Sequence, residues 1–185
     1  KMYDIEFHGT TNNSILFDNC KIVNIFNSSF SNFSNYENDD LILPSAITFY
    51  NSNIEIQNSI FENNIKGDDL INFYNSNFNI NNCVFRNSFA DAIDSDFSNG
   101  TISKSLFENI GNDGIDCSGS IVDVVNTSII NVKDKAISAG ESSILKIYNS
   151  KIYNSELAIV SKDGSKVYSE SNDLKNNRID LSVFF

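Results

Sequence analysis

A single column of apolar residues constrains this chain more than any other feature. Ile71, Ile93, Ile115, Ile137, Ile159 and Leu181 fall at intervals of 22 residues without slippage. Other columns keep step. Phe78, Gly100, Val122, Leu145 and Val167 are spaced 22, 22, 23 and 22, as are Phe85, Phe107, Ile129, Ile152 and Leu174. Asn87, Asn109, Asn131, Asn154 and Asn176 follow the same intervals. The extra residue enters between Ile137 and Leu145 and is removed between Asn154 and Ile159. Stacked coils require such a local compensation, because each turn must return the chain to the same place. A fixed period of roughly 20–50 residues marks a repeat array.

Within each unit apolar residues alternate over short runs (Phe78 and Ile80, Val122 and Val124, Leu145 and Ile147), which is strand periodicity. Asn-Ser, Asn-Asn and Gly-containing turns separate the runs. A unit of this length is too short for the helix pair of an ankyrin or tetratricopeptide repeat, and the leucine signature of leucine-rich repeats is missing. Three short strands joined by tight turns remain. The fold class is all-β, a parallel β-helix of about 22 residues per coil and roughly seven coils. Coils stack at about 4.8 Å, so the Asn column is expected to hydrogen-bond up the stack as a ladder.

The 185 residues read as one β-helix domain. Residues 1–44 form irregular first coils, with 1–13 read as a strand and a long loop over about 25–45. Regular coils run over 46–179, and 180–185 form a last strand. Phe49-Tyr50-Asn51-Ser52-Asn53 repeats as Phe73-Tyr74-Asn75-Ser76-Asn77 at an offset of 24, with two added residues within 64–69. Open β-helix ends expose strand edges, so neighbouring domains of a longer chain are expected partners.

Composition narrows the function classes. Net charge is −11 with a pI near 4.3. That opposes nucleic acid and anionic membrane surfaces, which need a basic footprint. No apolar run approaches the roughly 18 residues of a membrane-spanning helix, so membrane insertion is not expected. Cys20, Cys83 and Cys117 show no metal-type spacing and read as buried thiols. His8 is the only histidine, which leaves a histidine-based mechanism and a zinc site without ligands.

The residues that could carry chemistry are acidic. Taking the isoleucine column as inward, alternation turns the next position outward: Asn72, Asp94, Asp116, Ser138, Val160. Two residues on stand Tyr74, Asp96, Ser118, Gly140 and Lys162; at the preceding turn stand Asp91, Asp113 and Lys135. Asp94 and Asp116 are expected one coil apart, near 5 Å, with Asp91, Asp96 and Asp113 beside them. Two uses of these groups stay open. Asp91 and Asp113 brace turns by accepting backbone N–H groups while the others are solvated, or the stacked carboxylates are relieved by a cation. Hard oxygen ligands suit Ca²⁺. Tyr50 and Tyr74, 24 residues apart, either face a sugar or pack laterally on the outside of the stack.

At Asp91-Ala92-Ile93-Asp94, Asp113-Gly114-Ile115-Asp116 and Lys162-Asp163-Gly164-Ser165-Lys166-Val167 the chain resembles the right-handed parallel β-helix superfamily, in its pectin-lyase-like branch of extracellular bacterial proteins. The resemblance covers about residues 45–185. It implies the right-handed winding, an extracellular or cell-surface location, and polysaccharide as a partner. Some members are lyases or uronate epimerases in which Ca²⁺ held by acidic residues neutralises the uronate and a Lys or Arg abstracts a proton. Carried onto this sequence, Asp94, Asp96, Asp113 and Asp116 would hold the metal, and Lys135 or Lys162 would be the base. Lys162 lies two coils from the nearer acidic coil, about 10 Å, and Lys135 would need a lowered pKa. The expected function is therefore a carbohydrate-binding or scaffold module, with Asp91, Asp94, Asp96, Asp113, Asp116, Tyr50 and Tyr74 as binding residues. The alternatives are a Ca²⁺-dependent lyase or epimerase, and a structural spacer of an adhesin or fibre.

Overall fold

Asparagine sets the corners. In the computed structural model, which describes residues 1–184, Asn51, Asn75, Asn58, Asn82, Asn63 and Asn87 all have φ between 47 and 59°. A bend of this sharpness needs a left-handed residue, and Asn accepts that conformation better than other side chains carrying a Cβ. Each coil has three such corners, so three short strands per coil pair with their counterparts on the coils before and after. The result is three parallel eight-stranded sheets and one antiparallel pair of two short strands, with no helix among the described residues. The protein is a parallel β-helix of eight coils, one more than the sequence suggests.

The middle of the stack shows the order. Asp69–Tyr74, Asp91–Asp96, Ile115–Ser118, Lys135–Gly140 and Leu157–Ser161 lie side by side in what we call the third sheet. Asn77–Asn81, Asn99–Ser103 and Ile121–Val125 belong to the first sheet; Val84–Ser88, Leu106–Ile110 and Ser128–Val132 belong to the second. Register follows the sequence columns. Ile71 pairs with Ile93, Ile93 with Ile115, Ile115 with Ile137, Ile137 with Ile159 and Ile159 with Leu181.

Two corrections concern the first coils. Residues 1–13 are not one strand: the chain turns at Asp4 (φ 54°) between Met2–Tyr3 and Glu6–His8. The long loop is also shorter than 25–45. Val23–Phe26 and Ser29–Ser31 are regular strands of the first and second sheets, and only residues 35–44 leave the stack, since Phe33, Ser34 and Ala46 still bond to neighbouring coils. Tyr36–Glu37 and Ile42–Leu43 pair there as a small hairpin. The aromatic residues that suggested a loop explain the difference, because Phe30 and Phe33 are buried at 1% and 5% exposure and belong to the core. At the other end the strand is Ile179–Val183, and Phe185 lies outside the described residues.

Like residues stack in the core. Phe7, Phe30, Phe61, Phe85 and Phe107 form a continuous pile with ring centroids 4.6–5.3 Å apart. Phe17, Phe49 and Phe73 form a second. The exposed asparagines form the expected ladder: Asn87 donates to Asn63, Asn109 to Asn87, Asn131 to Asn109 and Asn154 to Asn131, at 3.1–3.3 Å.

A buried ladder runs beside it that the sequence reading did not single out. The residue after the left-handed corner is usually a buried Ser. Ser76 donates its N–H to the hydroxyl of Ser98, Ser98 to Ser120, Ser120 to Ser143 and Ser143 to Ser165, at 2.9–3.1 Å. The hydroxyls of Ser76, Ser98, Ser120 and Ser143 in turn donate to carbonyls, as Ser120 does to Ser95 at 2.7 Å. A backbone group turned inward by the bend thus keeps a partner in the interior. Cys83 occupies one such position in the neighbouring ladder, its N–H on Ser105 and its thiol 3.3 Å from the Asn81 carbonyl. Cys83 and Cys117 are the buried thiols expected, while Cys20 is half-buried.

Removing one rung exposes its worth. Ser120→Ala is expected to leave the Ser98 N–H buried and unpaired, costing about 1–3 kcal/mol. Ser120→Cys, which copies the natural Cys83 rung, is expected to cost less. Urea denaturation checks both; equal midpoints for Ala, Cys and wild type would contradict the ladder's role.

Candidate functional site

Along one face of the third sheet the fold stacks acid on acid. Asp94 pairs with Asp116 and Asn72 with Asp94 in register, and all three side chains point out of the stack. Asp69 pairs with Asp91 in the column that begins each strand. The sequence expectation leaves out Asp69, although it stands 22 residues before Asp91 and so continues the column of Asp91 and Asp113. Nor does it include Asn72, which is the bridge of the cluster: its amide donates to Asp94 Oδ2 at 3.0 Å and Asp96 Oδ2 at 3.1 Å.

The first column braces the turns. Asp91 Oδ1 accepts the Asp113 N–H at 2.8 Å and the Asn112 amide at 2.7 Å. Asp113 Oδ1 accepts the Lys135 N–H at 3.0 Å. Asp69, 6% exposed, accepts the Ser45 hydroxyl at 2.6 Å. Asp91 and Asp113 therefore do what the bracing reading requires. They also converge with Asp116: one carboxylate oxygen from each lies within 4.8 Å of the others. Of the four expected metal ligands, Asp113 and Asp116 fall in this trio, joined by Asp91. Asp94 and Asp96 instead share the Asn72 amide.

Burial and crowding hold these carboxyls on to their protons. Asp69 is pushed up to about 7 by burial, with Asp91, Asp68 and Asp96 adding to it against the Ser45 hydrogen bond. Asp91 is pushed up to about 7, again chiefly by burial. Asp94 rises to about 9 through burial and the charges of Asp69, Asp96 and Asp116. Burial raises Asp113 as well, against the opposing bonds from Lys135.

The two lysines stand differently from the expected base. Lys135 Nζ lies 3.0 and 3.1 Å from the two oxygens of Asp113 and 2.5 Å from Asp134. Burial works to lower its pKa, but the bond to Asp134 and the charge of Asp113 outweigh it and hold it above the usual lysine value. An ammonium so held is a resident counter-charge, and the arrangement works against proton abstraction. Lys162 lays its side chain over Gly140, whose missing Cβ would stand 2.9 Å from Lys162 Cε. Ser138, paired with Asp116 on the next coil, is wholly buried and its hydroxyl has no hydrogen-bond partner. Such a group costs about 1–3 kcal/mol.

Aromatic residues flank the acids. Tyr50 and Tyr74 stack with centroids 5.5 Å apart and planes 12° apart, so each covers a face of the other and presents its hydroxyl edge. Phe97, outside the sequence expectation, stands edge-on to Tyr74 at 5.8 Å and 75°. It occupies the left-handed corner that Asn51, Asn75 and Gly119 fill on other coils, with φ 48°. The conformation costs roughly 1–2 kcal/mol for a residue with a Cβ, yet the ring is 53% exposed. Its signal was legible as a break in the Asn column. Phe89, 62% exposed, stands just before the same strand.

Two comparisons of sequence return nothing: no protein-family profile matches the chain, and no curated protein does. Similarity appears in three dimensions. The A-module of the Azotobacter vinelandii mannuronan C-5 epimerase AlgE4 matches with a TM-score of 0.50 and 9% identity, over 94% of this chain and 78% of that one. PfbA, a surface adhesin of Streptococcus pneumoniae, matches with a TM-score of 0.51 and 13% identity, over 96% of this chain and 60% of that one. At such identities the likeness is one of fold, and the fold shared is the parallel β-helix.

The raised carboxyls give a pH dependence of defined sign. Their folded pKa lies above the unfolded value near 3.9, so the native state binds more protons and stability falls as pH rises. Their contribution is complete below about pH 4 and is lost as pH passes about 7 for Asp69 and Asp91, and about 9 for Asp94. Each group contributes a slope of up to about 1.4 kcal/mol per pH unit. Denaturation in metal-free buffer at pH 5.5 and 8.5 is expected to show the higher stability at pH 5.5, with Asp94→Asn narrowing the gap. A protein more stable at pH 8.5 would contradict it.

Proposed function

We propose that this chain is a glycan-binding β-helix module of an extracellular or surface protein. The observation that carries it is the outer face of the third sheet. There Asp94 stands in register with Asp116, and Asp91 and Asp96 share its strand, beside exposed aromatic residues. Carboxyl groups accept hydrogen bonds and, where they keep a proton as Asp91 and Asp94 do, also donate one, which suits the hydroxyls of a sugar, and rings beside a few convergent polar groups are the usual makings of a ligand site. The fold shared with a mannuronan epimerase module and with a surface adhesin supports this class without selecting a ligand. The acidic charge and the ion-paired state of Lys135 favour a binder over an enzyme. Incubation with alginate or polygalacturonate is expected to give no ultraviolet-absorbing unsaturated product and no change in the polymer's NMR spectrum. Either change would make the protein a lyase or an epimerase.

One observation favours a second reading, Ca²⁺ at the cluster. Asp91, Asp113 and Asp116 offer hard oxygens within 4.8 Å of one another, as Ca²⁺ requires. Lys135 occupies Asp113 in its place and is the natural competitor. The two cations are thus expected to exclude each other. Millimolar Ca²⁺ at pH 7.5 is expected to raise the melting temperature of Lys135→Met more than that of wild type. No rise in either protein would remove Ca²⁺ and, with it, a Ca²⁺-dependent enzyme. A protein that binds neither metal nor glycan would be a structural spacer.

A further inference from the structure

One strand of the third sheet is bracketed in a way that no other is. Asp91–Asp96 is preceded by Phe89 and followed by Phe97, which are 62% and 53% exposed. On the next coil both positions are cleared by glycine. Gly111 follows Phe89, and a Cβ there would stand 1.9 Å from the Phe89 carbonyl oxygen. Gly119 follows Phe97, and a Cβ there would meet the Phe97 ring at 2.7 and 2.9 Å. The Phe97 ring therefore lies against bare backbone on the Gly119 side and edge-on to Tyr74 on the other, and the residue stays half exposed.

Nothing in the fold requires a phenylalanine at position 97. Asn and Gly fill the corner on neighbouring coils without strain, and the ring gains little burial there. Between the two rings the outward groups are Asp91, Asp94 and Asp96, with Asp116 one coil on. The row ends at the wholly buried Ser138, whose hydroxyl is unpaired and turned to the same face. The acids of Asp91–Asp96 thus lie between two exposed apolar side chains, and the unsatisfied Ser138 hydroxyl is buried two coils further along the same row. Over the eight positions from Phe89 to Phe97 extended chain spans at most about 26 Å.

The geometry points to a neutral oligosaccharide lying along Asp91–Asp96, its apolar ring faces on Phe89 and Phe97 and its hydroxyls donating to Asp91, Asp94, Asp96 and Asp116. This rests on the glycan-binding reading above and adds the ligand class and its anchors. Charge selects the class. A uronate polymer would bring further carboxylates to a face already so crowded with acids that some of them keep their protons, and whose neighbouring ammonium, Lys135, is already bound to Asp113 and Asp134. A neutral sugar brings hydroxyl donors and acceptors and adds no charge to that crowding.

Native electrophoresis through gels that each contain one soluble polymer tests this. Galactomannan, mixed-linkage β-glucan and arabinoxylan serve as neutral probes, and alginate and polygalacturonate as uronates. Wild type is expected to be retarded by at least one neutral polymer and by neither uronate. Phe97→Asn restores the residue type of the corner. It is expected to weaken retardation at least tenfold while raising the melting temperature, which separates lost binding from lost folding. Phe89→Ser is expected to weaken retardation too, whereas Tyr168→Ser on the first sheet leaves it unchanged. Retardation of Phe97→Asn and Phe89→Ser equal to wild type would overturn the inference and leave glycan binding standing elsewhere. Preference for a uronate would overturn the ligand class. No retardation in any gel would overturn both the inference and the function it rests on. Self-association of wild type that Phe97→Asn abolishes in sedimentation would assign the rings to a second copy of the chain.

Discussion

Every coil must hydrogen-bond to the coils on either side of it, and the rest of the structure follows from that constraint. Strands spaced about 4.8 Å apart in unbroken parallel register leave no freedom for a residue to choose its neighbours. What lies beside a side chain is whatever the sequence places one period away. The constraint is met inside by isoleucine on isoleucine and phenylalanine on phenylalanine, and at the corners by left-handed asparagines whose following serines keep the inward backbone groups paired. Ser98, Ser120 and Ser143 are as much a part of this as the isoleucines, since an unpaired N–H at each corner would repeat its cost on every coil.

The same constraint creates the acidic face. Two carboxylates one strand apart repel by on the order of 3 kcal/mol at an effective dielectric near 20, and register gives Asp94 no way to avoid Asp116. Partial burial adds to the repulsion. The face answers in three ways: Asn72 bridges Asp94 and Asp96, Lys135 neutralises Asp113 and Asp134, and Asp69, Asp91 and Asp94 retain protons to higher pH. The stack does not require acids along this face, since neighbouring coils fill the positions of Asp94 and Asp116 with Thr48, Ser138 or Val160. We propose it as the functional surface for that reason, bordered by the exposed Phe89 and Phe97.

Most of the fold was legible because a period of 22 is hard to produce by other means. The register of Asp91, Asp94, Asp96, Asp113 and Asp116 was legible with it, since alternation and period together assign a face. What failed to show was wherever the period slipped. Asp4 and Asn27 are corners like the others, but the strands around them are short and the excursion at 35–44 breaks the spacing, so Phe30 and Phe33 read as loop residues. Asp69 was legible, 22 residues before Asp91, because the insertion does not fall between the two. Phe97 left a signal that periodicity alone does not weigh, a bulky ring in a corner column that holds Asn19, Asn51, Asn75 and Gly119 on other coils. The ion pair of Lys135 with Asp113 follows from register in hindsight, but its effect on the lysine needed the distances.

We propose that a glycan binds the outer face of the third sheet between Phe89 and Phe97. Mapping backbone amide shifts of the ¹⁵N-labelled protein during titration with neutral oligosaccharides, made by partial hydrolysis of the three neutral polymers, tests it directly. The account predicts saturable shifts concentrated in residues 89–97 and 113–118. Shifts confined to the first or second sheet, or none with any of the three, would contradict it.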